Sequence, residues 1–507
     1  MSMSHKLDVL DLERGGEISL TQQLVTRIAA LVDSGELEPG AKLPATRALA
    51  ADAGINHLTA VRVYRRLAEL GYVAAAVGRG TFVRQRVPVP AGAAAGSARE
   101  SDDWQLGMLA ARPLSYADEM LRDSLHIPHT SGAIPLASGF PDPDLCPSAE
   151  LAEIAAEIAR DDPRAVTGYL EVEGLPELRE RLAQLGREAG YARSADEILV
   201  TSGARQGIDL VARALLSAGD VAVVESPTFA GTLASLQATG ARVLPLPVDA
   251  EGADIDALER VLARHEIKLV ALQASCQNPT GADLSPPRRA RLLELARTRG
   301  FFVLDDGVYA TMRYEGDPLP RLRAEAPSHV IYVDSLSKTI GGGLRVGWLA
   351  AGGPLFERLV QLKMDSDIHT AALPQHLGAR YLRGDRHERL LARARPVYRR
   401  RRDALLRALE RHLGHDATWA APAGGHHVWV TLHEAIDERA IYAEALRAGV
   451  TFLPGGATQA EKSTRTSMRL SFGLVEAAAH DEAVRRLASA LREVRRRERG
   501  SATGALS

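Results

Sequence analysis

Lysine is scarce in this sequence, because only six of its 62 basic residues are lysines and the other 56 are arginines. Arginine keeps its proton in proteins and forms no imine, whereas lysine can act as a nucleophilic amine once its site lowers its pKa. Any reaction that needs such an amine is therefore confined to a few positions. The six lysines are Lys6, Lys42, Lys268, Lys338, Lys363 and Lys462.

Cysteines are also few, and long apolar runs and a strong net charge are absent from the sequence. The two cysteines, Cys146 and Cys276, form no spacing pattern for a disulfide framework or a metal cluster, which is typical of a reducing compartment. No apolar run approaches the roughly 18 residues that a transmembrane helix needs, and the first residues lack the apolar core of a signal peptide. A formal net charge of −2 excludes a strong overall field toward nucleic acid or membrane. We therefore expect a cytoplasmic protein without membrane association, in which any basic patch is local.

The chain, at 507 residues, is too long for one hydrophobic core, so two or more domains are expected. Residues 1–86 contain helix-like segments followed by a hairpin-like segment and form the first predicted domain. Residues 87–130 open with a stretch rich in Pro, Gly and Ala and are predicted to be a linker. In residues 131–499, short β-rich runs alternate with amphipathic helical stretches, which predicts an α/β domain with a mostly parallel sheet. Residues 500–507 are predicted to be a disordered tail.

Lys338 has the most informative surroundings of the six lysines. It follows an apolar run at residues 330–333, and Ser335 and Ser337 precede it at short spacing. Arg345 stands seven positions after it. A lysine amine can hold pyridoxal phosphate (PLP) as a Schiff base while hydroxyl groups and a guanidinium bind the phosphate of that cofactor. The pattern therefore predicts a PLP anchor, although an ordinary surface lysine would fit the short motif equally well.

Three further segments carry residues that PLP would need, and ligands of an open parallel sheet bind beyond the carboxyl ends of its strands. Gly203 follows a predicted strand and precedes a predicted helix over residues 207–215, whose first N–H groups can bind phosphate. The Phe229 ring is predicted to stack on the pyridine ring, unless it is a core aromatic. The amide of Asn278 is predicted to bind the phenolate oxygen, unless it belongs to a simple Asn-Pro turn.

Asp306 is the strongest carboxylate candidate, because it closely follows the apolar run at residues 301–304. A carboxylate opposite the pyridine nitrogen keeps that nitrogen protonated and makes the ring an electron sink. Tyr309, three residues further on, can donate a hydrogen bond to the phenolate oxygen beside Asn278. We therefore predict Lys338, Asp306 and Tyr309 as the catalytic residues.

The order of these motifs along the chain resembles that of the fold-type I, class I/II aminotransferases. The resemblance covers residues 131–495 and implies a large mostly parallel sheet with a smaller C-terminal α+β subdomain. It also implies that Tyr169 reaches the phosphate of the cofactor in the partner subunit of a homodimer. Arg469 would pair with the carboxylate of a bound amino acid through a bidentate fork. An arginine in a surface ion pair is the alternative for that residue.

Two residues of the predicted phosphate turn depart from the family pattern. Ala204 lacks the hydroxyl that many relatives place there, and the cationic Arg205 follows it. Arg205 either compensates for the missing hydroxyl or points elsewhere, and both residues stay among the predicted cofactor contacts. The adjacent His426 and His427 lie near the expected cleft without metal-ligand spacing, so a hydrogen-bonded polar pair is favoured and no metal site is predicted.

The first domain has the pattern of a helix-turn-helix followed by a hairpin. Asn56 is a good N-cap for a predicted helix over residues 57–69. The apolar face of that helix comprises Ala60, Val63, Tyr64 and Leu67. The glycine-rich segment 78–83 follows as a hairpin with an arginine at its tip. This is the order of a winged helix, in which the third helix suits the major groove of DNA and the wing a neighbouring groove.

Nearly the whole of this domain resembles the DNA-binding domain of the GntR family, through motifs at residues 43–50, 54–60 and 78–83. The residues that the resemblance implies as phosphate or base contacts are Arg47, Thr59 and Arg79. His57 stands where the family usually has an arginine, which makes that contact weaker or pH-sensitive. From the helical face alone we add Arg62 and Arg65, for which solvated surface charges are an equal alternative.

A GntR-type winged helix joined to an aminotransferase-like domain is the arrangement of the MocR family of transcriptional regulators, and the chain resembles that family end to end. The resemblance implies a PLP-dependent regulator that binds double-stranded operator DNA and senses a small amine or amino acid through aldimine exchange at Lys338. An active aminotransferase with an accessory DNA-binding domain is the alternative, and the sequence leaves open whether weak or partial transaminase activity is retained. A third interpretation is an aminotransferase-like scaffold that binds no cofactor.

Overall fold

The computed structural model describes residues 20–33, 36–37, 40–69, 72–76, 80–83, 132–461 and 463–504. The chain divides into two compact units, Met1–Pro113 and Leu114–Ser507, and each unit has hydrophobic core clusters of its own. Within these described ranges, no helix is both long and apolar enough to cross a membrane.

The first unit combines helices with a two-stranded antiparallel hairpin. Its elements are α1 (Leu20–Asp33), α2 (Thr46–Asp52), α3 (His57–Glu69), β1 (Val73–Ala76) and β2 (Gly80–Val83). The apolar stripe of α3 packs against α1 and α2, with Val63 and Leu67 fully buried, as the helical spacing predicts. The Tyr64 hydroxyl donates a 2.7 Å hydrogen bond to the carbonyl of Pro44, which ties α3 to the segment before α2. The unit is therefore a winged helix, and α3 covers the residues predicted for the third helix.

The second unit alternates strands and helices through most of its length. Its helices are α4 (Ser148–Asp161), α5 (Arg164–Thr167), α6 (Pro176–Ala189), α7 (Ala204–Leu215), α8 (Ala230–Ala238), α9 (Ile255–Leu262), α10 (Pro286–Arg299), α11 (Pro354–Asp367), α12 (Ala372–Tyr381), α13 (Arg386–Leu413), α14 (Glu438–Arg447) and α15 (His480–Gly504). Its strands are β3 (Ile134–Pro135), β4 (Ile198–Thr201), β5 (Val221–Ser226), β6 (Arg242–Asp249), β7 (Gly252–Ala253), β8 (Leu269–Leu272), β9 (Phe302–Asp306), β10 (Val330–Ser335), β11 (Gly347–Ala350), β12 (Ala417–Trp419), β13 (His427–Leu432), β14 (Val450–Thr451), β15 (Leu453–Pro454) and β16 (Ser467–Ser471).

An eight-stranded sheet of order β4-β11-β10-β9-β8-β5-β6-β7 forms the centre of the second unit. Strands β10, β9, β8, β5 and β6 are parallel, whereas β11 runs antiparallel to both of its neighbours and β7 runs antiparallel to β6. The central strands are buried, which is why they occur in the sequence as unbroken apolar runs. The carboxyl ends of β4, β5, β8, β9 and β10 therefore lie along one edge of the sheet.

A four-stranded antiparallel sheet of order β12-β13-β16-β15 forms a smaller C-terminal subdomain. Helices α13, α14 and α15 bury its apolar face in a separate core that includes Val428, Val430 and Leu470. The prediction of a large mostly parallel sheet with a smaller α+β subdomain is thus confirmed.

Two boundaries differ from the prediction. Helix α7 begins at Ala204 rather than Gly207, because Gly203 has a φ of +82° and turns the chain directly into the helix. Helix α15 continues to Gly504, so residues 500–504 of the segment predicted as a disordered tail are helical. Arg496 and Arg497 pair with Glu493 at helical spacing, and such pairs stabilise the turns of α15 that precede residue 500.

Candidate functional site

Lys338 lies at the carboxyl end of β10, in the short 3-10 turn Leu336–Lys338. Its Nζ atom donates a 2.9 Å hydrogen bond to the carbonyl of Gly139 and lies 5.5 Å from the centre of the Tyr309 ring. Burial, assisted by the nearby Arg469 guanidinium, lowers the pKa of the Lys338 amine to about 8. A lysine with this pKa has an appreciable neutral fraction near neutral pH, as imine formation requires.

The buried Asp306 carboxylate lies at the end of β9, beside Val333 of β10. Its Oδ2 atom accepts a 2.7 Å hydrogen bond from Gln273 Nε2, and its Oδ1 atom accepts a 3.3 Å bond from the backbone N–H of Val308. Burial raises the pKa of Asp306 to about 6, while these two donors favour the charged form. Asp306 is therefore mostly ionised at neutral pH, as pairing with a protonated ring nitrogen requires.

Arg469 lies on β16 of the small subdomain and is buried. Its Nη1 atom donates a 3.0 Å bond to Asn278 Oδ1 and its Nη2 atom a 2.6 Å bond to the Ala137 carbonyl, while Nε has no hydrogen-bond partner among the described residues. Burial lowers the pKa of Arg469 to about 10, which leaves the guanidinium charged at neutral pH. A buried cation is costly unless an anion pairs with it. The guanidinium is thus suited to receive a carboxylate.

The Asn278 side chain has a determined orientation in this arrangement. A guanidinium can only donate hydrogen bonds, so the oxygen of the Asn278 amide faces Arg469. The NH2 group of Asn278 is then directed away from the arginine and is available as the donor that a phenolate oxygen needs.

Tyr309 contacts a histidine that comes from the small subdomain. Its hydroxyl lies 2.9 Å from His427 Nε2, and His427 Nδ1 lies 2.8 Å from Ser471 Oγ. Burial holds the pKa of His427 well below its usual value, so this ring is neutral at neutral pH. The interpretation of the two adjacent histidines as a hydrogen-bonded pair holds for His427 and is wrong for His426. Both ring nitrogens of His426 lack a partner among the described residues, because its ring packs 4.4 Å from that of Tyr398.

The turn between β4 and α7 places a cation next to a helix N-terminus. A Cβ atom at Gly203 would lie only 2.5 Å from Arg345 Nη2, and the same Nη2 atom donates a 2.8 Å bond to the Ser202 carbonyl. The hydroxyl oxygen of Ser335 accepts a 3.4 Å bond from the backbone N–H of Ser337 at the neighbouring strand end. The N-terminus of α7 and the adjoining guanidinium form an arrangement that suits a phosphate.

Ala204 and Arg205 occupy the first turn of α7, and Arg205 is directed toward Phe229. A Cβ atom at Gly231 would lie 2.7 Å from Arg205 Nη1 and 2.3 Å from the Phe229 ring, so both side chains approach the start of α8. Arg205 is exposed and Phe229 is half-buried. The cation that departs from the family pattern therefore lies beside the ring predicted to stack on the cofactor.

Tyr169 is 83% exposed, and its ring meets that of His369 edge to face at 5.5 Å. Three further large apolar residues are exposed close to these two in the sequence: Val166 near Tyr169, and Met364 and Ile368 near His369. Such exposure leaves these side chains available to another protein surface.

The predicted DNA contacts fall only partly within the described residues. The exposed side chains on α3 include His57, Arg62 and Arg65. Thr59 is half-buried on the same helix, and His57 Nε2 lies 3.3 Å from Thr46 Oγ1 at the start of α2. The side chain of Arg47 and the whole of Arg79 lie outside the described residues. Helix α3 therefore presents two arginines and a histidine to solvent, as a groove-binding helix does.

Two residues of this site had no assigned contact at the level of sequence. Gln273 binds Asp306, and its signal was a polar residue at the end of the apolar strand β8, five positions before Asn278. His427 binds Tyr309 across 118 positions of sequence, and no local pattern indicates such a contact.

The chemistry of these groups fits PLP. A lysine with a lowered pKa, an ionised buried carboxylate and a turn that suits a phosphate lie at strand ends along one edge of the sheet. The buried Arg469 Nε has no partner among the described residues. In the part of the chain that the structure describes, no three His, Cys, Asp or Glu side chains are grouped as a metal ion would require.

Comparisons with known proteins agree with this chemistry. Residues 131–487 match the family described as aminotransferase class I and II, and residues 20–83 match the bacterial regulatory proteins of the gntR family. The 2-aminoadipate transaminase of Thermus thermophilus is 34% identical over 376 residues, which cover 73% of this chain and 93% of the relative. The HTH-type transcriptional regulator TauR of Rhodobacter capsulatus is 30% identical over 490 residues, which cover 94% of this chain and 98% of the relative.

Solved structures show the same fold for the second unit. LysN, the α-aminoadipate aminotransferase of Thermus thermophilus complexed with N-(5'-phosphopyridoxyl)-L-leucine, matches with a TM-score of 0.70 and 34% identity, over 74% of this chain and 95% of that one. The Pyrococcus horikoshii kynurenine aminotransferase matches with a TM-score of 0.73 and 31% identity, over 78% of this chain and 98% of that one.

The fold and the site define a fold-type I, class I/II aminotransferase domain with PLP as its cofactor, carried in one chain with a GntR-type winged helix. This combination and the similarity to full-length regulators establish the family. The chain belongs to the MocR family of transcriptional regulators.

Proposed function

We propose that this regulator senses a small amine or amino acid at Lys338 and that occupancy of the site changes its affinity for double-stranded operator DNA. The observation that carries the proposal is that one short segment of backbone holds both an amine and a guanidinium. The Lys338 amine bonds to the carbonyl of Gly139, and the Arg469 guanidinium bonds to the carbonyl of Ala137. The amine of an amino acid can take the place of the Lys338 amine at the cofactor, and its carboxylate can pair with the Arg469 guanidinium.

The bound cofactor supplies an aldehyde carbon for attack by an amine and a ring that withdraws electrons. We assign Lys338 to the attachment of PLP, Asp306 to the ring nitrogen, and Tyr309 with Asn278 to the phenolate oxygen. The remaining contacts that we assign to the cofactor are Gly203, Ala204, Arg205, Phe229, Ser335, Ser337, Arg345 and, from the partner subunit, Tyr169.

Arg469 belongs to the small subdomain, whereas Lys338 and Asp306 belong to the large sheet. A ligand that displaces the Lys338 amine and docks its carboxylate on Arg469 therefore joins the two parts of the unit. Liganded and unliganded states then differ in their contacts and need not bind DNA equally. Coupling between two such sites is typically about 1–3 kcal/mol, or roughly 5- to 150-fold in affinity.

We also propose that the chain acts as a homodimer in the cytoplasm, where it meets its operator. The support for a dimer is the exposure of four large apolar side chains, those of Tyr169, Val166, Met364 and Ile368. Light scattering on the PLP-loaded protein should give twice the chain mass, and a monomer at micromolar concentration would contradict the proposal.

The test of sensing is a titration of the PLP-loaded protein with single amino acids and amines, followed by the cofactor absorption spectrum and by operator affinity in parallel. We expect at least one ligand to change both quantities with the same midpoint. Spectral changes without any change in DNA affinity would refute regulation through this site.

An active aminotransferase is the second candidate. It is favoured by the retained Lys338 and Asp306 and by relatives that are named as transaminases and are 34% identical or nearly so. Two results together would establish an active aminotransferase. The protein would release keto acid steadily at an enzymatic rate, on the order of 1 per second or faster, and its affinity for DNA would not depend on the amine.

A further inference from the structure

Gln273 connects the residue that we assign to the nitrogen of the cofactor ring, Asp306, with the residue that we assign to its phenolate oxygen, Asn278. It follows β8 and is buried. Its amide Nε2 donates a 2.7 Å hydrogen bond to Asp306 Oδ2, and its amide oxygen accepts a 2.6 Å bond from the backbone N–H of Asn278. A single side chain thus contacts both the carboxylate assigned to the ring nitrogen and the residue assigned to the phenolate oxygen.

The orientation of this amide follows from the donor at one end. A backbone N–H group can only donate, so the oxygen of Gln273 has to face Asn278 and its NH2 group has to face Asp306. The NH2 group is a donor only, and it therefore favours the ionised form of the carboxylate. This contribution opposes the burial that favours a neutral Asp306.

A buried carboxyl group fixes the backbone of Gln273. Glu225 on β5 is 2% exposed, and its Oε2 atom accepts a 2.9 Å bond from the Gln273 N–H and a 3.2 Å bond from Gln277 Nε2. Burial raises the pKa of Glu225 to about 8, so this group is mainly neutral at neutral pH and adds little charge beside Asp306. Hydrogen bonds therefore fix both the backbone and the side-chain amide of Gln273.

We propose that Gln273 is a positioning residue that keeps Asp306 ionised for pairing with the ring nitrogen of the cofactor and orients Asn278 for binding of the phenolate oxygen. The proposal rests on the assignment of Asp306 to the ring nitrogen. By keeping Asp306 ionised, Gln273 would influence the pKa of the cofactor that is attached at Lys338. With PLP attached at Lys338, a positive charge on the ring nitrogen would lower the pKa of the nearby imine nitrogen, so the loss of that charge would move the pH midpoint of the cofactor band to higher pH.

The test replaces Gln273 with Leu. A second variant, Gln273→Met, carries a more flexible apolar side chain and is used if Gln273→Leu does not fold. We expect PLP to bind roughly 10- to 100-fold more weakly, as for the loss of one charge-assisted hydrogen bond, when measured by equilibrium dialysis. The pH midpoint of the visible cofactor band should rise in both variants. A wild-type midpoint and wild-type affinity in both would overturn the proposal.

Gln375 supplies a matched control. It is also fully buried and also makes one bond as acceptor and one as donor, from the Leu175 N–H at 2.8 Å and to the Thr370 carbonyl at 2.6 Å. Gln375→Leu should lower the melting temperature as Gln273→Leu does but leave the pH midpoint unchanged. An equal shift of the midpoint in both variants would show a general structural effect and refute the specific role of Gln273.

The dependence on Asp306 is tested separately. Asp306→Ala alone should raise the midpoint, and adding Gln273→Leu to it should cause no further rise, since both changes remove the same ionised carboxylate. If Asp306→Ala leaves the midpoint unchanged, the assignment of Asp306 itself fails. If Asp306→Ala raises the midpoint and the second substitution adds its full separate shift, only the positioning role of Gln273 fails.

Discussion

Lys338 donates a hydrogen bond to the carbonyl of Gly139 across 2.9 Å, although the two residues are 199 positions apart in the sequence. Two residues earlier, the Ala137 carbonyl accepts a 2.6 Å bond from Arg469. The segment at residues 137–139 thus holds the amine and the guanidinium that we assign to ligand recognition. A ligand that displaces the Lys338 amine and pairs with the Arg469 guanidinium therefore also changes the contacts of this segment.

Replacement of Lys338 by Ala should abolish the covalent attachment of PLP, because among the described lysines Lys338 alone lies at the end of β10. Borohydride reduction followed by mass spectrometry measures the attachment, and Lys268→Ala on the surface is the control that should keep it. A reducible adduct that survives in Lys338→Ala would place the anchor on another lysine.

Replacement of Asp306 by Asn should weaken PLP retention by roughly 1.5–3 kcal/mol, the contribution of a charge-assisted hydrogen bond. The neutral amide cannot hold a proton on the ring nitrogen, so exchange of the cofactor with amines should also become slow or absent. Dialysis and spectral exchange measure the two effects. Unchanged retention and exchange would show that the ring nitrogen pairs with another group.

The rate at which the apo protein attaches PLP should rise with pH and level off above about 8, the pKa of Lys338. Only the neutral amine attacks, and its fraction grows roughly tenfold per pH unit below the pKa. Arg469→Met removes a cation that disfavours the protonated amine, so the pKa of Lys338 should rise and the whole profile should move to higher pH. Stopped-flow absorbance from pH 6 to pH 9 measures the profile, and a flat profile would contradict a titrating amine.

Arg469→Ala should retain PLP and basal DNA binding but lose the response to an amino acid, because the ligand carboxylate then has no buried cation to pair with. The exposed Arg465, four residues earlier, provides the control substitution Arg465→Ala. Ligand titrations monitored by spectrum and by DNA affinity separate the two variants. A full response in Arg469→Ala would move the carboxylate site elsewhere.

Binding of DNA by the winged helix should weaken steeply as the salt concentration rises, because phosphate neutralisation releases counterions. Arg62→Ala or Arg65→Ala on α3, and Arg47→Ala or Arg79→Ala, should each weaken binding, whereas Arg27→Ala on the exposed side of α1 should not. Fluorescence anisotropy at several salt concentrations measures the slope. Binding that is independent of salt, or that none of the four substitutions weakens, would argue against this surface.

The sequence by itself determined the fold class and the strand ends at which polar residues collect. The central strands of the large sheet are buried, so they occur as apolar runs, and the residues that follow them lie along one edge of the sheet. The sequence also predicts the winged helix, because the apolar residues of α3 recur with helical spacing.

Only the tertiary structure decided which groups satisfy one another. The bond between Tyr309 and His427 and the bond between Arg469 and Asn278 join distant parts of the chain. The pKa values of Lys338 and Asp306 depend on burial and on neighbours that come from other strands. Local spacing records the period of a strand or a helix but not the side chains that pack against it, so charge state and hydrogen-bond direction emerge only when the sheet and the small subdomain are assembled.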